Sequence, residues 1–196
     1  MGDPYGRKKT GQIVNGNMKN TMRQYKIAEI SIRGRMGYTI TCFEQTIIFY
    51  KAQTPQICKL ISFLWSYTLS TRLDLWDEQF RQTVPGNIKD FSERFCLQFM
   101  DDKTCVFIFG ILEDVYEVAT GNLYGGYVSS YTETPLIHII EKLSVKNIIL
   151  PAMAPLVISK ASKNMDGDDL LPKVLLKIME PSYSKGLFSQ CLQILG

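Results

Sequence analysis

Residues 101 to 131, DDKTCVFIFGILEDVYEVATGNLYGGYVSSY, hold the pattern that decides the fold. Val106, Phe109, Leu112, Val115, Tyr116 and Ala119 recur at three- and four-residue intervals, the period of a helix that turns one apolar stripe toward a core. Asp101 or Asp102 supplies the short acidic side chain that caps such a helix, and Gly121-Asn122 suits its end. The opposite side is read as acidic, with Glu113, Asp114 and Glu117, and the exit is a glycine-tyrosine turn from Leu123 to Tyr131.

Helical signals extend in both directions. Thr54-Pro55 pairs an N-cap residue with a proline at the first helical position, where the missing N–H costs nothing. It opens a run of Ile57, Leu60, Ile61, Leu64, Trp65, Leu69 and Trp76, read as one long helix or two joined near Ser70 to Leu73. Pro85-Gly86-Asn87 interrupts it, and Asn87 caps a shorter helix expected to bury Ile88, Phe91, Phe95 and Phe99. Thr134-Pro135 repeats the cap-proline signal ahead of Leu136, Ile139, Ile140 and Leu143. Pro151 and Pro155 bracket an apolar connection, residues 161 to 168 read as a loop, and Asp168 or Asp169 begins a helix through Val174, Leu175, Ile178 and Met179. A last short helix follows Gly186.

Residues 22 to 50 read two ways. Their Ile and Thr content suits two strands around Gly34 to Gly37, whereas Met22, Ile27, Ile30, Ile40, Phe43, Ile47 and Phe49 also permit helices. The fold class expected is mainly α, a single-domain irregular helical bundle, with a small β element in residues 25–50 as the alternative there. Residues 1–20 read as a poorly ordered basic tail, and residues 21–196 as one globular helical domain.

A chain of 196 residues with 45% hydrophobic and 21% charged residues is long enough to bury a core without metal or disulfide staples. Cys42, Cys58, Cys96, Cys105 and Cys191 are widely spaced and contain no CxxC pair, so free thiols in a reducing compartment are expected. With no signal-like leader and no apolar run near the roughly 20 residues that span a bilayer, the expectation is a cytoplasmic protein without membrane contact. The net charge of +3 conceals a division along the chain. Residues 74 to 133 hold eleven acids against four bases, a local balance of −7, which disfavours nucleic acid as the ligand of that region.

Catalytic patterns fail on inspection. His138 is the single histidine, so sites needing two imidazoles are excluded, and no GxSxG or comparable nucleophile motif accompanies it. Glu113 and Glu117 stand one helical turn apart, but the Glu-x-x-His pattern of bundle metal sites is absent. Asp166-Gly167-Asp168-Asp169 lacks the ligand alternation and closing Glu of a calcium loop. Residues 121 to 127, GNLYGGY, have neither GxGxxG spacing nor a following GK[ST], so their glycines are expected to serve close helix contacts or positive φ. No cofactor and no metal is expected.

The Ile/Leu/Trp helix ISFLW, the acidic Trp segment LDLWDEQF and the helix-turn EDVYEVATGNLYGGYVSSY together resemble the small helical immunity proteins encoded with bacterial polymorphic or contact-dependent toxins. The resemblance covers residues 54 to 150. It implies a cytoplasmic bacterial protein that binds a cognate toxin domain and blocks it without catalysis of its own. It transfers no individual contact residue. A basic toxin domain would be drawn by an acidic surface, so the expected partner-binding residues are Asp74, Asp77, Glu78, Glu113, Asp114 and Glu117, with Tyr124 and Tyr127 as aromatic anchors. The competing readings are a helical enzyme or small-ligand binder with Tyr116, Glu117 and Tyr124 at a pocket mouth, and a structural subunit of an assembly.

Overall fold

A computed structural model of the chain describes residue 27, residues 30 to 125 and residues 130 to 151. Six helices occupy them: α1 (Ile32–Phe49), α2 (Pro55–Ser66), α3 (Leu73–Thr83), α4 (Ile88–Arg94), α5 (Asp102–Gly125) and α6 (Ser130–Val145). The protein is mainly α, a helical bundle, and no strand occurs among the described residues. The basic tail, the loop at 161 to 168, the helices expected after Asp168 and Gly186, and Tyr127 lie outside them.

The ambiguous N-terminal segment is helix α1, and its burial explains why its sequence reads both ways. Met36, Tyr38, Ile40, Cys42, Phe43 and Ile47 are all fully buried, so the helix has apolar neighbours around most of its circumference and little amphipathic period. Its threonines are satisfied locally. The hydroxyls of Thr39, Thr41 and Thr46 donate to the carbonyls of Met36, Gly37 and Cys42 at 2.8, 2.9 and 3.0 Å, which lets polar β-branched residues sit in a packed helix. Ser31 starts α1 by accepting from the Gly34 N–H at 3.1 Å. The β alternative for residues 25–50 is therefore replaced by helix from Ile32 onward.

Around α1 lie α5 and α6, which pack on it and on each other, while α2 lies against α1 and α3 and α4 against α5. Thr54 caps α2 through the Ile57 N–H at 3.1 Å and also donates to the Phe95 carbonyl at 2.8 Å, joining the α2 start to the α4 end. The run beginning at Thr54 is two helices, with the break at residues 67 to 72. Asn87 caps α4 by accepting from the Asp90 N–H at 3.0 Å, and Asp101 caps α5 through the Thr104 N–H at 3.0 Å. Phe91 and Phe95 enter the core, but Phe99 lies beyond the end of α4 and is exposed.

Three helices end in the same way without glycine. Lys51, Cys96 and Asn147 each have φ 55°, in the left-handed region. After each, an apolar residue folds back: the N–H groups of Ala52, Leu97 and Ile148 donate to the carbonyls of Ile47, Ser92 and Leu143 at 2.9, 2.8 and 3.0 Å. All three apolar residues are buried, and this contact offsets the cost of a left-handed residue that carries a Cβ.

The register of α5 differs from the expected one by about one position. Cys105, Ile108, Ile111, Leu112, Val115, Val118 and Ala119 form its core stripe, whereas Val106 is exposed. The helix also continues past Gly121-Asn122 to Gly125, because Gly121 serves a crossing rather than an end. A Cβ on Gly121 would stand 2.5 Å from the Tyr131 carbonyl oxygen. Tyr131 is the residue whose carbonyl a non-proline at position 135 would bond, and Pro135, inside α6, has no N–H to offer it. So α6 begins before Thr134-Pro135, and its first turn approaches α5 as closely as only glycine allows.

Buried charge fastens this crossing to α1. Arg35 is almost fully enclosed, and its guanidinium donates to the Ile27 carbonyl at 3.2 Å and the Thr132 hydroxyl at 2.6 Å, with Glu133 at 3.3 Å. On the far side of α6, Lys142 Nζ donates to Asp114 Oδ2 at 2.7 Å and to the Gly110 carbonyl at 3.1 Å. Cys42 and Cys105 are buried free thiols and Cys96 an exposed one, but Cys58 is disulfide-bonded, which corrects the expectation of free thiols throughout. The cysteines thus give no argument for a reducing compartment. No helix among the described residues is long and apolar enough to cross a membrane.

Three substitutions test this packing. Gly121→Ala should lower unfolding free energy by about 2 kcal/mol in urea titration, since a backbone carbonyl cannot yield as a side chain can. Gly37→Ala should instead be neutral or stabilising by up to about 1 kcal/mol, because its Cβ would meet the Trp65 ring at an ordinary 3.5 Å and glycine is a poor helix former. Glu44, buried on α1 and bonded by the Trp65 indole N–H at 2.8 Å, has its pKa pushed up by burial from 4.5 to about 7. Its folded value lies above the unfolded one, so its contribution is complete below about pH 4.5 and is lost as pH rises through about 7. Glu44→Gln keeps the indole acceptor, and denaturation at pH 8 should find it more stable than the parent by on the order of 2 kcal/mol, with no gain at pH 4.

Candidate partner-binding surface

Helix α3 meets α5 through aromatic rings and one carboxylate. Leu73, Trp76, Asp77 and Phe80 fall at three- and four-residue spacing, so Asp77 occupies the apolar stripe and is carried inward with its neighbours. Phe63 stacks on Trp76 at 5.2 Å and 4° between planes, and Phe80 stacks on Tyr116 at 4.3 Å and 9°. That stack delivers the Tyr116 hydroxyl to Asp77.

Asp77 is 1% exposed, and a carboxylate so placed must be fully bonded to remain charged. Tyr116 donates to its Oδ1 at 2.6 Å, Tyr124 donates to its Oδ2 at 2.6 Å, and Arg81, one helical turn along α3, completes the set as an ion pair. Arg81 also reaches the Tyr124 hydroxyl at 3.1 Å. Burial alone would raise the Asp77 pKa, and the three donors overcome it to hold the carboxyl below its usual value of 3.8. The reciprocal effects appear on the phenols. Burial and the bond to Asp77 push Tyr116 up to about 12, and the same bond raises Tyr124.

The expected partner-binding residues separate into three groups. Asp77 and Asp114 lie inside; Asp114 is 6% exposed and engaged by Lys142, so both are structural carboxylates and neither belongs to the outer acidic face. Asp74 is exposed but already bonded in a fork by Arg72, at 3.0 and 2.6 Å. Glu78, Glu113 and Glu117 are exposed, and none of them has an ion-pair partner among the described residues. Tyr124 is 68% exposed although its hydroxyl is tethered. Glu113, Glu117 and Tyr124 share one stripe of α5, since offsets of four and eleven residues return to the same side of a helix.

Arg81 and Tyr116 are the participants that the acidic reading passed over. The Arg81 partnership was visible as an opposite-charge pair at four-residue spacing. Tyr116 was not, because its role depends on a contact 39 residues away. His138 lies on the exposed side of α6. Among the described residues no three of His, Cys, Asp and Glu converge in a way that could hold a metal ion.

Two shallow surface depressions adjoin the cluster. One, of about 450 Å³, lies between the α3 end and α4 and is lined by Arg81, Pro85, Asp90 and Arg94 among others; the second, of about 490 Å³, is lined by Asp74, Leu75, Glu78, Arg81 and Gln82. Tyr116, Glu117 and Tyr124 line neither of these two, and the two phenols turn toward Asp77. The chain matches no protein-family model, and neither the curated proteins nor the solved structures give a match.

Asp77→Asn should remove the charge that the three donors serve and cost about 1 to 3 kcal/mol at neutral pH. Because the folded pKa of Asp77 is depressed, its contribution is present above about pH 3.8 and disappears as pH falls through the folded value. Acid denaturation should therefore show the difference between parent and Asp77→Asn shrinking toward pH 2.

Proposed function

We propose that this protein is a non-catalytic immunity protein that binds and neutralises a cognate bacterial toxin domain of basic character, in the cytoplasm of the cell that makes it. The observation that supports the reading is the set of exposed carboxylates Glu78, Glu113 and Glu117, which have no ion-pair partner among the described residues, with the exposed Tyr124 further along the α5 stripe of Glu113 and Glu117. Glu113 and Glu117 stand at the one-turn spacing at which like charges repel, and neither has an ion-pair partner among the described residues. Lys or Arg side chains of a partner would turn that repulsion into attraction. Such a field raises the rate of encounter and rejects acidic competitors, while an aromatic ring on the same stripe supplies apolar contact that charge alone does not.

The test is co-expression with the product of the adjacent gene, once that product is shown to arrest growth alone. The parent chain should restore growth. Glu113→Lys combined with Glu117→Lys should slow association with the purified toxin domain at least about tenfold at low salt, with the difference narrowing as salt is raised. Circular dichroism should show the fold unchanged. Full protection and an unaltered association rate would overturn the reading of this surface, and an adjacent product without toxicity would overturn the immunity assignment.

A further inference from the structure

The tether on Tyr124 serves Asp77, and it also fixes a side chain that stands in solvent. An exposed tyrosine ordinarily samples several rotamers, and holding one costs side-chain entropy. Asp77 is already served by Tyr116 on one oxygen and by Arg81 on the other. Yet the Tyr124 hydroxyl makes a second short bond to Oδ2, at 2.6 Å, and takes a further one from Arg81 at 3.1 Å, while the residue as a whole stays 68% exposed. One end of the side chain is fixed and the rest stands in solvent. This is the arrangement of an aromatic anchor whose ordering cost is met before the partner arrives.

Resting on the proposed function, we infer that Asp77 is a positioning residue for partner docking: with Arg81 it holds the Tyr124 ring as a preformed anchor on the α5 stripe that carries Glu113 and Glu117, for a partner pocket rimmed by Lys or Arg. The two parts of the surface then have different duties. The carboxylates govern how fast the partner arrives, and the fixed ring governs how long it stays. A ring with its edge and faces exposed suits an apolar slot, and guanidinium groups at the rim of that slot can stack on the ring as well as pair with the carboxylates.

The test uses the full chain and the toxin domain encoded beside it, with association and dissociation followed separately. Tyr124→Ala should raise the off-rate at least about thirtyfold with the on-rate little changed, as for removal of a central aromatic anchor. Tyr124→Phe keeps the ring but frees it, and should raise the off-rate about five- to tenfold. Asp77→Asn should do the same. Adding it to Tyr124→Phe should bring little further loss, because both act through one tether. Tyr116→Phe is the decisive control: it removes an equally short bond from Asp77 and should lower thermal stability comparably, yet leave the off-rate unchanged because Oδ2 and Arg81 still hold Tyr124.

Equal off-rates for Tyr116→Phe and Tyr124→Phe would overturn the inference and reduce Tyr124 to a cover over a buried carboxylate. So would parent-like dissociation of Tyr124→Ala. Either result together with slowed association of the Glu113→Lys, Glu117→Lys variant would leave the acidic docking surface standing. Loss of both effects would remove the surface altogether.

Discussion

A charged carboxylate cannot be left inside a helical bundle without donors, and Asp77 is such a carboxylate. Its place on the apolar stripe of α3, between Trp76 and Phe80, forces it against α5. The two phenols of α5 and the guanidinium one turn along α3 answer that demand. This satisfaction fixes where α3 sits, aligns Phe80 on Tyr116, and sets the direction of Tyr124. It also leaves the neighbouring carboxylates, Glu78 and Glu117, to solvent.

The rest of the bundle solves a related problem in its centre. Helix α1 is enclosed by α2, α5 and α6, so its polar groups must be answered internally, by threonine bonds to its own carbonyls and by the bonds around Arg35. The close crossing of α5 and α6 at Gly121 brings Thr132 and Glu133 to that arginine, and Lys142 repeats the device at Asp114. Each buried charge thus joins two helices, and each would cost more if half of its pair were removed than the pair contributes as a whole.

What could be read in the sequence followed from local chemistry. The caps at Thr54, Asn87 and Asp101 act within three residues, and the sequence announces them. The α5 stripe is legible but comes out rotated, because Val106 and Phe109 look as apolar as Cys105 and Ile108. With that rotation, Asp114 fell on the outer face, although its spacing from Ile111 and Val118 puts it on the buried one. Burial on most sides erased the period of α1, and the left-handed ends at Lys51, Cys96 and Asn147 carry no glycine to mark them. The Asp77 cluster was half visible: the Arg81 pairing is local, whereas Tyr116 and Tyr124 arrive from another helix.

The proposed activity draws on the division between carboxylates that the fold consumes and those that it leaves free. Asp77 and Asp114 are consumed, whereas Glu78, Glu113, Glu117 and the ring of Tyr124 remain exposed. The account stands on the ionised state of Asp77, which carboxyl-carbon and tyrosine-ring NMR titration of the free protein measures directly. It predicts an Asp77 midpoint below the ordinary 3.8 and a Tyr116 phenol that ionises only near about 12. An Asp77 midpoint at or above 3.8, or a Tyr116 phenol titrating at its ordinary 10, would contradict it.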